Sequence, residues 1–135
     1  MIGDSITSAL IQKALDGTWQ RQKAISNNIA NHETPGYKAV RVNFEQELKT
    51  QVKRLAASDS QPGRSKISEG IASINNSKIR FTTDRTTSER ADGNNVNLDF
   101  ENIQMAKAQI QYQYLVRAMT DYYARLRYAI SEGRR

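Results

Sequence analysis

Apolar positions recur at helical spacing near each end of the chain, and between the two stretches that spacing fades. Near the N-terminus, Ile11, Leu15, Thr18, Gln22, Ile25 and Ile29 follow one another at intervals of three and four. They lie between Asp4 and Ala30, a region without proline whose single glycine is Gly17. The spacing predicts a helix with one packing stripe. Thr18 and Gln22 interrupt its apolar character, and Ala14, Ala24 and Ala30 flank it with side chains small enough for a second helix to approach. Near the C-terminus, Met105, Ala108, Tyr112, Leu115, Met119, Tyr122, Leu126 and Ala129 keep an average step of 3.5 residues over more than three heptads. Val116, Tyr123 and Ile130 widen that stripe. A repeat held at 3.5 points to coiled-coil-like packing, because an ordinary surface helix drifts at 3.6.

Local chemistry marks where these helices begin and end. Thr34-Pro35-Gly36-Tyr37 stops the first: proline disfavours helical geometry in the residue before it and presets the first central position of a turn, and Gly36 supplies the positive φ that a type II turn needs next. Asp92-Gly93-Asn94-Asn95 is a second turn. Asn97 then caps a helix predicted to run to about Ile130, with Asp99 and Glu101 at the positive end of its dipole. Between the helices, Val40 to Phe44 alternates as a short half-buried strand, and Glu45 to Ala57 suits a short helix. From Ser58 to Asn95 the composition turns to Ser, Thr, Asn, Gly, Asp and Arg, with Ile67, Ile71, Ile74, Ile79 and Phe81 as anchors. That reads as loops with one or two weak strands, Lys78 to Thr82 being the better one.

The expected organisation is therefore mainly α. An N-terminal assembly helix and turn occupy 1–37, an irregular, weakly β middle 38–95, and a C-terminal assembly helix 96–135, the terminal helices packing as a pair. The apolar share of 38% is thin for a closed core, and the middle is poor in apolar residues. Part of the helical burial is expected to come from other chains.

Charge changes this picture little. Of the formal +6, most lies in residues 46–91, with nine Lys/Arg against five Asp/Glu, so basicity is dispersed over the least regular part. Arg117, Arg125 and Arg127 beside Tyr114, Tyr122, Tyr123 and Tyr128 also suit a basic aromatic face for nucleic acid. Several of those tyrosines are on the packing stripe, which favours a helix interface instead. A secretion chaperone with an exposed groove is a third reading.

Catalytic chemistry finds no foothold. Without cysteine, thiolate nucleophiles and Cys-ligated metals are excluded. The lone His32, beside Glu33, reads as a solvated loop residue, and Asp92 to Glu101 lacks the ligand pattern of a calcium loop. Glu45/Glu47 and Asp99/Glu101 read as solvated charges. No phosphate-binding glycine loop is present, and a Ser or Thr nucleophile would have only His32 to activate it. No catalytic, metal or cofactor site is expected, and no small-molecule substrate. Gln12, Lys13, Asp16 and Arg21 break any signal-like apolar run, and nothing later approaches a membrane span.

The sequence Ile25-Ser26-Asn27-Asn28-Ile29-Ala30-Asn31, two further residues, and Thr34-Pro35-Gly36-Tyr37-Lys38-Ala39 closely resembles the N-terminal signature of bacterial flagellar rod and hook proteins. With the Asp92-to-Asp99 turn before a Tyr-containing helix and the short length, the chain looks most like the short proximal-rod members. The resemblance covers roughly residues 20–44 and 92–130. Asn97 stands where an acid is usual and Phe100 where a polar or acidic residue is common. The resemblance implies export through the flagellum's own type III apparatus without signal cleavage. It also implies polymerisation in the periplasm into a hollow, torque-transmitting shaft, with copies of itself, other rod proteins and the export-gate and MS-ring junction proteins as partners. The residues expected at that assembly interface are Ile11, Leu15, Gln22, Ile25, Asn28, Ile29, Asn31, Met105, Tyr112, Leu115, Met119, Tyr122 and Leu126, with Thr34 to Tyr37 as the hinge. Asn27, Asn28 and Asn31 place amides on the last turns of the first helix, suited to capping it or to directional contacts.

Overall fold

The hydroxyl of Ser5 accepts the backbone N–H of Ser8 at 3.1 Å and so starts the first helix, α1, Ile6–Ala30. In the computed structural model, residues 5–57, 64–85 and 90–132 are described; Asp4, where the expected helix begins, is outside them. Strand β1 (Val40–Asn43), helices α2 (Glu45–Ala56) and α3 (Arg64–Asn75), strand β2 (Arg80–Thr83) and helix α4 (Leu98–Glu132) follow. Asn97 caps α4, its side-chain oxygen accepting the Phe100 N–H at 3.0 Å. At 1.5 Å per residue, the 35 residues of α4 extend about 52 Å.

The terminal helices pack antiparallel. Ser5 meets Tyr122, Arg21 meets Gln111 and Asn28 meets Glu101, so contacts descend α1 as they climb α4. The fold is mainly helical with long terminal helices and a small two-stranded antiparallel sheet in the middle, as expected. Val42 pairs with Phe81 and Asn43 with Arg80 in that sheet.

α1 has two working faces. Ser8 and Asn28 reach α4 through Tyr123 and Glu101, while Ala14, Gly17 and Ala24 pack toward the middle segment, where Ala24 joins Val42 and Phe44 in the core cluster. Gly17 is required there, because a Cβ would overlap the buried Phe44 ring. Thr18, which interrupts the predicted stripe, is fully buried and turns its hydroxyl onto the Ala14 carbonyl at 2.8 Å, so its polar atom is satisfied within the helix.

One expectation about the middle is corrected. Residues 64–75 form α3 where loops were expected. Ile67, Ile71 and Ile74 are spaced four and three apart, a helical stripe masked by the surrounding Ser, Gly and Asn; Ile74 is fully buried and the other two half-buried. α3 is held to α2 by the Ser73 hydroxyl on the Gln51 side chain at 2.7 Å, and to α1 by Lys13 on the Asn75 carbonyl at 2.9 Å. The part of the expected loop over 58–63 and 86–89 is outside the described residues.

Candidate functional site

The signature at the end of α1 folds into a buried polar junction joining α1, β1 and α4. Asn28 is its centre. Its amide N–H groups donate to the Val40 carbonyl at 3.0 Å and to Glu101 Oε2 at 3.2 Å, and its side-chain oxygen accepts the Val40 N–H at 2.9 Å and the Tyr37 hydroxyl at 3.2 Å. The amide thus pairs with the free edge of β1 as a neighbouring peptide would, satisfying backbone groups that burial would otherwise leave without partners. Glu101, 0% exposed, also takes the Arg41 guanidinium at 2.5 Å, and Arg41 stacks over Phe100 with 4.8 Å to the ring centroid.

This corrects the expectation that Glu101 is a solvated charge. The readable signal was its position: four residues before Met105 and seven before Ala108, it continues the α4 stripe by one turn. A carboxylate so buried is tolerable only with charge-assisted partners on both oxygens, which Arg41 and Asn28 supply.

The hinge is a second junction. Gly36 has φ +71° and the Tyr37 N–H donates to the Thr34 carbonyl at 3.2 Å, the geometry of the expected type II turn. Buried Asn94 clamps it: one amide nitrogen donates to the carbonyls of both Asn31 and Thr34 at 2.9 Å, and its oxygen accepts the Val96 N–H at 2.8 Å. Asn95 reaches the Ala39 N–H at 2.8 Å. The second turn therefore docks onto the first, a relation the sequence reading did not anticipate. Asn31 caps α1, its side-chain amide on the Asn27 carbonyl at 2.8 Å, while Asn27 is exposed. His32 is half-buried rather than solvated, with Nδ1 2.9 Å from the Ile29 carbonyl.

Of the residues expected at an assembly interface, Ile25 and Asn28 are buried, and Ile11, Leu15, Gln22, Ile29, Asn31, Met105, Leu115, Met119, Tyr122 and Leu126 are half-buried. Asn28 meets Glu101 of α4, Tyr122 meets Ser5 at the start of α1, and Asn31 lies instead under Asn94 of the second turn. Tyr112 is 37% exposed, and its neighbour Gln111 meets Arg21 of α1. Tyr122 bonds Ser5 through its hydroxyl, and of the four tyrosines of the basic aromatic face it alone is half-buried. Arg117 and Arg125 line a groove of about 510 Å³ together with Asp121 and Ile11, so that groove is of mixed charge.

On the far side of α4 the sequence reading named Tyr114 and Tyr128 but missed Ile103 and Ile110. Ile103, Ile110, Tyr114 and Tyr128 lie 7, 4 and 14 residues apart, one stripe along the helix. Ile110 stands two residues, about 200°, from buried Ala108 and so faces away from α1, while Tyr114 stands at the rim of the groove that Thr7 and Ile11 of α1 also line. Ile110 is 68% exposed, Tyr114 73% and Tyr128 66%. Trp19 on α1 is exposed as well. Among the described residues no helix is long and apolar enough to cross a membrane, so this face is not one side of a spanning segment.

Near Phe44, Arg21 bonds Glu45 at 2.6 Å and the Val42 carbonyl at 3.1 Å. Burial pushes the Glu45 carboxyl up, but the Arg21 guanidinium and the backbone N–H groups at 44 and 45 more than offset this and hold it below the ordinary range.

Comparison with known proteins converges on these same regions. A family profile described as "Flagella basal body rod protein" matches residues 7–38, the span of α1 and its hinge. The flagellar basal body rod protein FlgB of Bacillus subtilis (strain 168) is 33% identical over 124 residues, covering 92% of each chain. The Escherichia coli (strain K12) FlgB is 31% identical over 117 residues, 81% of each, and the FlgB of Buchnera aphidicola is 33% identical over 106 residues, 76% of this chain and 77% of its own. The similarity spans both terminal helices and the junction between them, and the chain belongs to the flagellar basal body rod protein family.

Proposed function

We propose that this protein is a structural subunit of the bacterial flagellar basal body, in its proximal rod. It polymerises through its terminal helices into a hollow shaft that transmits torque and joins the export gate and MS ring to the distal rod. Copies of itself and other rod proteins are its partners. It reaches the periplasm through the flagellum's own export apparatus without cleavage of a signal.

The observation that carries this reading is the outward stripe of α4. The α1–α4 contact already covers the inner face, yet Ile103, Ile110, Tyr114 and Tyr128 present large apolar side chains to the outside, with Arg117 and Asp121 between the two tyrosines. Large apolar side chains exposed on the face opposite the packing seam mark an interaction surface, and a tube of packed subunits provides partners for it. The buried junction at Asn28 supports the same role, because its bonds to Val40 and Glu101 fix the angle between the helix pair and the middle segment, as a torque-transmitting shaft requires.

The test is a charge on the outer row. Ile110→Asp with Tyr114→Asp is expected to leave the purified monomer as helical and as resistant to urea as the parent, and to abolish rod assembly and motility. Normal motility in a strain carrying both changes would refute the assignment of this face.

A further inference from the structure

We propose that the outer edge of β2 is a docking site for an extended partner segment that alternates apolar and acidic side chains, added as a third strand. The Asp84 N–H donates to the Ala39 carbonyl at 2.7 Å. Alternation along an antiparallel ladder then makes Arg41–Thr82 and Asn43–Arg80 the exchanging pairs. The N–H and C=O of Val40 point away from β2, and both are bonded to Asn28 there, which checks the phase. By the same alternation, the N–H and C=O of Phe81 and Thr83 point away from β1.

The two edges of this small sheet are thus treated differently. α1 closes the β1 edge, with Asn28 on Val40 and Arg21 on the Val42 carbonyl at 3.1 Å. Among the described residues nothing bonds the outward backbone groups of Phe81 and Thr83, and all four residues of β2 are exposed. Edge strands avoid pairing by being very short, by carrying charge or proline, by a bulge or by a covering element. β2 is short and its one charge, Arg80, is of a single sign, which selects an acidic strand rather than excluding every strand; among the described residues it has no proline, bulge or covering element.

The flanks define the occupant. Phe81, 56% exposed, opens onto a cleft of about 280 Å³ floored by Ala24 and Val40 on the side facing α1. Arg80 and Thr82 point to the other side, onto a polar groove of about 560 Å³ shared with Arg54 and Glu47. The nearest carboxylate to Arg80 is Glu47, at 3.9 Å. An added strand would place alternate side chains on these two sides, apolar ones against Phe81 and acidic ones toward Arg80 and Arg54. Lys78, Arg80 and Arg85 against the single carboxylate of Asp84 make the edge repel its own copy. A two-fold pairing of β2 with itself is also incompatible with a polar tube, a point that rests on the proposed function.

The probe is a short synthetic peptide alternating Val and Glu, titrated into the monomer and followed by amide hydrogen exchange. The monomer needs no assembly for this, so the outcome is independent of the rod assignment. Slowed exchange is expected at Phe81 and Thr83, weakening as salt rises, with Arg80 and Thr82 unchanged. Thr83→Pro removes an outward N–H without touching the β1–β2 ladder, and is expected to abolish the effect while leaving thermal unfolding near that of the parent. Arg80→Glu is expected to transfer the preference to a Val/Lys peptide. Unchanged exchange at Phe81 and Thr83, or equal response of the parent to the Val/Lys peptide, would overturn the proposal. So would concentration-dependent protection of those amides without peptide, which would assign the edge to a second copy.

Discussion

Asn28 and Glu101, 73 positions apart in sequence and both fully buried, are joined by a 3.2 Å hydrogen bond that ties the end of α1 to the first turn of α4. Because Asn28 also spans the N–H and C=O of Val40, one side chain decides how three elements meet.

Asn28→Ala is expected to destabilise the monomer by about 2 to 4 kcal/mol, since it leaves a buried carboxylate one donor short and two strand-edge backbone groups unpaired. Urea unfolding of the isolated protein measures this directly. A change within experimental scatter would mean that water replaces the amide at no cost.

Gly17→Ala separates helix propensity from packing. Alanine alone would favour the helix by about 1 kcal/mol. Its Cβ, however, would overlap the body of the Phe44 ring, which is buried against α1 and has no free end to swing aside. Net destabilisation of about 1 to 3 kcal/mol is expected. Phe44→Leu in the same chain should recover part of it, and additive losses in the double variant would contradict the overlap.

Gly36→Ala tests the hinge without a packing contribution, because a Cβ there meets nothing within 4 Å. The cost is then that of holding φ +71° with an L side chain, about 1 kcal/mol. Gly36→Asn, which tolerates that region better, should be milder in thermal unfolding. Equal stability of all three proteins would show that the turn relaxes.

Glu45 introduces a pH dependence. Its folded pKa is depressed, chiefly by Arg21 acting against burial, so its contribution is present above the unfolded value near 4.5 and is lost as pH falls through the folded value. Glu45→Gln should therefore be less stable than the parent at pH 7, with the gap closing below pH 4.5. Because the carboxylate is half exposed, the gap should be small and should shrink in salt. A gap that widens on acidification would reverse the sign of the argument.

Leu115→Asp contrasts with changes on the outer stripe. Leu115 is half-buried in the α1–α4 contact, so a charge there should loosen the monomer itself, by about 2 to 4 kcal/mol, before any assembly is considered. Chemical denaturation of the monomer separates this from Ile110→Asp, which should leave it unchanged. Equal effects of the two on monomer stability would erase the distinction between the faces.

The sequence by itself determined what is local. The Pro-Gly and Asn punctuation and the 3.5-residue stripe of α4 are each written within a few turns of chain, where capping, φ restriction and periodicity act without help from elsewhere. The resemblance to rod and hook proteins was legible for the same reason, being carried by contiguous residues around Asn28 and Gly36. Tertiary structure alone decided the rest. Whether Glu101 is solvated or buried depends on Arg41 and Asn28 arriving from distant segments, and α3 holds because Ile74 finds a buried place that its Ser- and Asn-rich neighbours do not advertise. The phase of the β1–β2 ladder was equally hidden. Alternation told which side chains share a face, but which backbone groups turn outward followed only once Asn28 had claimed the edge at Val40. Polar groups are satisfied by whichever partner the fold delivers, and a partner 73 residues away leaves no local mark.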